Sequence, residues 1–87
     1  MYKIILEKNV EKFLLKQKWS PMIQQLEKAL LILSMSPYEN NLDIKTITWL
    51  PNTYRLRLWK YRFLYEILDD KLIISFVDAG SRWNIYK

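Results

Sequence analysis

The sequence predicts an α+β domain of order β-α-α-β-β-β, with two N-terminal helices packed on a small, mainly antiparallel twisted sheet. Three observations carry that expectation. Apolar residues recur at helical spacing through residues 10–33, the period changes to two beyond residue 54, and the stretch between them is interrupted by prolines and asparagines. The 87 residues are expected to form a single domain, 1–87. A chain of this size hides only about 60 to 65 % of its unfolded surface and cannot support two cores.

Tyr2 to Leu6 is a short apolar stretch suited to a first strand. Asn9 reads as an N-cap, after which Val10, Phe13 and Leu14 follow helical spacing to Lys18. Ser20-Pro21 restarts the chain as a cap with proline in the first turn, and Ile23, Leu26, Leu30 and Leu33 line one face of a second helix that Pro37 ends. Residues 37–53 read as a long connection with one apolar turn around Leu42, Ile44 and Ile47; connections of this length in a small domain are often functional. Tyr54 to Leu58, Tyr61 to Leu68 and Lys71 to Ala79 then alternate as three strands, separated by the turns Trp59-Lys60 and Asp69-Asp70.

Composition narrows the chemistry. With no cysteine and no histidine, the chain has no disulfide, thiolate nucleophile, imidazole metal ligand or neutral-pH proton shuttle, so neither a metal nor a cofactor is expected. The longest apolar run, Ala29 to Leu33, is far below the roughly 20 residues that span a bilayer, and no membrane partner is expected; the cytoplasm is the expected location. A net charge of +5 favours a polyanionic partner. The ten lysines are scattered from Lys3 to Lys87, whereas the four arginines fall at Arg55, Arg57, Arg62 and Arg82. Arginine reads phosphate through two parallel N–H donors, so this concentration points to a site.

If Trp59-Lys60 is a two-residue turn, Leu58 faces Tyr61, Arg57 faces Arg62, Leu56 faces Phe63 and Arg55 faces Leu64. One face of the hairpin then carries Arg55, Arg57 and Arg62, and the other carries Leu56, Leu58, Tyr61, Phe63, Tyr65 and Ile67 as the core face beneath the helices. Two arginines placed opposite each other repel, and Glu66 is the acid that the pattern places on their face. A phosphate between them accounts for the arrangement; the alternative is that their stems cover the sheet while the charged heads splay into solvent. Gly80, the chain's one glycine, reads as a backbone turn that re-aims the following run so that Arg82 and Tyr86 return toward the arginine face and form an open basic concavity with it. Packing on the sheet edge is the alternative for Tyr86, and a place in the core is the favoured reading for Trp83.

Three runs carry a family pattern: Tyr54-Arg55-Leu56-Arg57-Leu58, Tyr61-Arg62-Phe63-Leu64-Tyr65-Glu66-Ile67, and Gly80-Ser81-Arg82 with Ile85-Tyr86-Lys87. They resemble the RelE-type branch of the RelE/ParE toxin superfamily, and the order of elements resembles that family's layout over essentially the whole chain. The resemblance implies the toxin of a type II toxin-antitoxin system: a metal-independent endoribonuclease that cuts mRNA in the ribosomal A site and is neutralised by a cognate antitoxin. Its partners are then the antitoxin, the ribosome and mRNA. Carried over by position, the catalytic set is Arg62, Arg82 and Tyr86, and the RNA- and phosphate-binding set is Arg55, Arg57 and Lys60.

The pattern is departed from in two places. Trp59-Lys60 stands where many relatives carry a glycine-containing turn, and Ser81 stands where some carry a histidine. Arginine, with a pKa above about 12, is a poor base and a good clamp for phosphate and transition state. Tyr86 is left as base or stacking partner, its hydroxyl made more acidic by neighbouring guanidinium groups, with Arg82 stabilising or protonating the leaving oxygen. The rival readings are a ParE-type poison of DNA gyrase, which needs no nuclease site, and a non-catalytic module that binds RNA or antitoxin.

Overall fold

The computed structural model describes residues 1–81, which run through β1 (Lys3–Leu6), α1 (Lys8–Lys16), α2 (Met22–Met35), β2 (Ile44–Thr46), β3 (Thr53–Leu58), β4 (Tyr61–Leu68) and β5 (Ile73–Gly80). The strands form one sheet in the order β1-β5-β4-β3-β2. β1 pairs with β5 in parallel, and every other pairing is antiparallel. Both helices lie on one face, as the α+β expectation requires. None of the helices among the described residues is long and apolar enough to cross a membrane.

The core follows from alternation in the strands meeting helical spacing above them. Leu56, Tyr61, Phe63, Tyr65, Ile67, Ile74 and Phe76 are buried beneath Val10, Met22, Leu26, Ala29 and Leu33. Each large apolar side chain enclosed this way contributes about 1.5 to 3 kcal/mol. Rings interlock within it: Phe13 meets Tyr61 and Phe63 edge-on at 5.9 and 6.1 Å, and Tyr65 lies between Tyr54 and Phe76 at 5.5 and 5.0 Å. In α2 the deepest positions are Met22, Leu26, Ala29 and Leu33, while Ile23 and Leu30 flank them, so the buried face is rotated slightly from the expected one.

Three local features differ from the sequence-based expectations. Asn9 is not the cap of α1. The cap position is Glu7, in extended conformation, and Asn9 lies in the first turn, its amide donating to the Val77 carbonyl at 2.9 Å and to Asp78 Oδ1 at 3.3 Å. This bond holds α1 against β5 where Val77 is an extra residue, the register stepping from Leu64↔Asp78 to Tyr65↔Phe76.

The long connection contains a strand, β2, whose Ile44, Lys45 and Thr46 pair with Leu56, Arg55 and Tyr54. The β4–β5 connection is longer than Asp69-Asp70: a single 3-10 turn, Asp69–Lys71, is followed by Leu72 in the left-handed region at φ 53°. Gly80 is the last residue of β5, paired with Arg62 and without a positive φ, and the run it was expected to re-aim lies outside the described residues.

The β4–β5 connection is fastened by Asp69. Its two carboxylate oxygens accept hydrogen bonds from the hydroxyls of Tyr2, at 2.6 Å, and Tyr38, at 2.7 Å. Those two bonds, Tyr2 foremost, lower the Asp69 pKa. In return the Tyr2 hydroxyl is raised chiefly by its bond to Asp69, and Tyr38 chiefly by burial and then by Asp69.

Candidate nucleic-acid interface

The hairpin of β3 and β4 builds the candidate site. Its register is Leu58↔Tyr61, Arg57↔Arg62, Leu56↔Phe63 and Arg55↔Leu64, as the two-residue turn requires. Facing residues of an antiparallel pair share a face. Arg55, Arg57 and Arg62 therefore lie on the face away from the helices. Two cross-strand rows result, Lys45–Arg55–Leu64 and Arg57–Arg62–Gly80.

The turn gains its geometry from Trp59, whose φ is 57°, while Lys60 has no positive φ. A positive φ at the first central position belongs to the primed hairpin turns, whose twist matches that of the flanking strands. A bulky residue pays steric strain there. The Trp59 side chain is nevertheless 53 % exposed.

Each arginine has a distinct setting. Arg57 is exposed, and its Nε donates to the Trp59 carbonyl at 3.0 Å. Arg62 is 7 % exposed, with Nη1 donating to the Lys60 carbonyl at 3.1 Å. Arg55 is 3 % exposed; its Nη2 meets Asp43 Oδ1 at 2.9 Å and its Nε is unpartnered. Lys60 Nζ stands 5.4 Å from the centre of the Tyr61 ring.

The face is thus basic but less open than the sequence implied, because two of its three arginines are buried. The acid that meets an arginine there is Asp43, whereas Glu66 sits at the register of Thr53 and Ser75. Asp43 also accepts the Arg57 backbone N–H through its carbonyl at 2.9 Å. It was missed in the sequence because nothing short of the β2–β3 pairing brings it to Arg55. Arg82 and Tyr86 lie outside the described residues. No group of three or more carboxylate-type ligands that could hold a metal ion occurs among the described residues.

On the opposite side, a groove of about 740 Å³ runs between α1 and α2. Leu14, Leu15, Ile23, Leu26 and Leu30 form its apolar lining, with Lys8, Lys12, Lys18, Glu11 and Glu27 around them.

Two helices on one face of a mixed five-stranded sheet, with an arginine-bearing hairpin on the other, define a RelE-like α+β protein. No protein-family model matches the sequence, and no curated protein does. Solved structures do match over nearly the full chain. The isolated RelE toxin of E. coli aligns with a TM-score of 0.72 at 22 % identity, over 99 % of this chain and 92 % of that one. The RelB-RelE antitoxin-toxin complex of Methanococcus jannaschii aligns at 0.74 and 28 % identity, over 94 % of each chain. The archaeal RelE-RelB complex of Pyrococcus horikoshii OT3 aligns at 0.76 and 22 % identity, over 94 % of this chain and 96 % of that one. The chain thus has the fold of the RelE toxins, and the 28 % identity to the Methanococcus jannaschii protein supports its resemblance to the RelE type.

Proposed function

We propose that this protein is the toxin of a type II toxin-antitoxin system, acting in the cytoplasm as a ribosome-dependent, metal-independent endoribonuclease on mRNA in the A site. The observation that carries the reading is the row Arg57–Arg62–Gly80: two arginines at paired positions of the hairpin, next to a glycine, on the sheet face that the helices leave uncovered. The likeness to RelE toxins over nearly the full chain supports the same assignment.

Cleavage by an internal 2′-hydroxyl needs in-line positioning, compensation of charge on the five-coordinate phosphorus, and proton transfer at the attacking and leaving oxygens. In this reading Arg57, Arg55 and Lys60 bind and orient the RNA backbone, with Arg55 held in place by Asp43. Arg62 compensates the charge that develops at phosphorus. Arg82 stabilises or protonates the leaving oxygen, and Tyr86 serves as base or stacks on a nucleobase. The structures of RelE with RelB support a cognate antitoxin as partner, and the α1–α2 groove supplies an apolar surface for it.

Inducible expression tests the reading. The parent should arrest growth and cleave ribosome-bound message while leaving naked RNA largely intact. Growth arrest accompanied by gyrase-dependent DNA breaks and intact message would replace it with the gyrase-poison reading.

A further inference from the structure

Two basic, aromatic loops meet at one end of the molecule. The Tyr61 hydroxyl and Gln17 Oε1 lie 3.3 Å apart as a hydrogen-bonded pair, and Phe13 packs edge-on against the Tyr61 ring at 5.9 Å. Gln17 stands two residues before Trp19, in the α1–α2 loop, and Tyr61 two residues after Trp59, at the hairpin tip. The contact therefore brings together the loops that display these tryptophans, which are 89 % and 53 % exposed. Lys18 Nζ lies 5.6 Å from the centre of the Trp19 ring, and a cleft lined by Lys18, Trp19, Ser20, Pro21, Ile23 and Gln24 opens beside it.

Charge selects the occupant. Residues 12–26 and 44–65 contain no aspartate or glutamate, and around the two tryptophans they place Lys16, Lys18, Arg57 and Lys60. Exposed rings interleaved with cations, on segments that carry no acid of their own, match a strand whose bases stack while its phosphates pair. Trp59 adds an independent observation, since it holds a left-handed backbone that glycine or asparagine would occupy at lower cost, yet leaves half its surface in solvent. Packing within the fold does not account for a bulky ring there.

We propose that Trp19 and Trp59, with Lys18 and Lys60, form a stacking platform for unpaired nucleotides of RNA at the hairpin tip, adjoining the arginine face and sharing Lys60 with it. The proposal rests on the reading of the chain as RNA-directed, but it concerns binding and requires no cleavage.

The test is fluorescence anisotropy with a labelled 12-nucleotide 2′-O-methyl RNA of mixed sequence, which cannot be cut by an internal hydroxyl. Trp19→Ala and Trp59→Ala should each weaken binding about tenfold or more without changing its salt dependence, whereas Lys18→Ala and Lys60→Ala should flatten that dependence. Trp59→Gly should bind as weakly as Trp59→Ala while melting at or above the parent temperature, because it relieves the turn. Parent-like affinity in both tryptophan-to-alanine variants overturns the proposal, as does a Trp59→Gly protein that melts well below the parent. Cleavage of ribosome-bound message, assayed on the same proteins, separates the two readings: a parent that does not cut but binds through its tryptophans defeats only the nuclease, and a parent that cuts but binds independently of them defeats only the platform.

Discussion

Arg57 and Arg62 face each other across the β3–β4 hairpin, and each is tied back to the turn that joins them, Arg57 to the Trp59 carbonyl and Arg62 to the Lys60 carbonyl. The turn thereby offsets part of the repulsion between two like charges and aims both guanidinium groups toward the hairpin tip. Opposed like charges still cost stability. Arg57→Thr, a strand-compatible change at an exposed position, should therefore stabilise the fold by about 0.5 kcal/mol in urea denaturation while reducing cleavage of ribosome-bound message. A variant that loses stability and keeps full activity would show that Arg57 serves the fold.

Asp43 and Arg55 set the next expectation. Arg55 is buried, and Asp43 is about half exposed at 52 %, so their ion pair is worth more than a surface pair and less than an enclosed one. Asp43→Ala should cost about 1 to 2 kcal/mol, measured as a lower urea midpoint with unchanged slope. Arg55→Met, which removes the charge together with its need for a partner, should be tolerated better than Asp43→Ala. The reverse order would show that Arg55 is held chiefly by contacts other than Asp43.

The hairpin register was legible because Tyr54 to Leu58 and Tyr61 to Leu68 alternate cleanly about a two-residue gap, and a slip of one residue would turn every arginine into the core. β2 was not legible. Its three residues follow Asn40, Asn41 and Asp43 and have no alternation of their own; they are a strand because β3 offers an unpaired edge. Asn9 resembled a cap, but the β5 backbone displaced by the extra residue Val77 competes for its amide. Within the site, the common face of Arg55, Arg57 and Arg62 could be read from spacing, whereas the burial of Arg55 and Arg62 could not, because it depends on what the chain lays against that face.

Tyr65 offers a test of the core. Its side chain is enclosed between Tyr54 and Phe76, and its hydroxyl is buried without a hydrogen-bond partner; burial is the leading reason its pKa is raised. Tyr65→Phe removes an unsatisfied polar atom and keeps the ring. The variant should be as stable as the parent or more stable by about 1 kcal/mol, read as a higher melting temperature. A marked loss would mean that the hydroxyl is satisfied in solution.

The clasp at Asp69 predicts an acid-side pH dependence. Its pKa is lowered in the folded state by the Tyr2 and Tyr38 hydroxyls, so the clasp contributes stability above the ordinary carboxylate pKa of about 4 and loses it as pH falls through the lower folded value. Asp69→Asn should therefore be less stable than the parent at pH 7, with the difference shrinking toward zero in strong acid. Tyr2→Phe should move the Asp69 titration, followed by carboxylate NMR, back toward the ordinary value. An Asp69 resonance that titrates identically in Tyr2→Phe and parent would contradict the clasp.

Primer-extension mapping of a message held on purified ribosomes, with the parent and Arg62→Ala compared after both are shown to be folded, tests the central claim most directly. Parent-dependent breaks within the A-site codon are expected, with cleavage by Arg62→Ala at least about a hundredfold slower, the loss of about 3 kcal/mol of transition-state stabilisation. Breaks at the same position and rate in both proteins, or none with the folded parent, would contradict that claim.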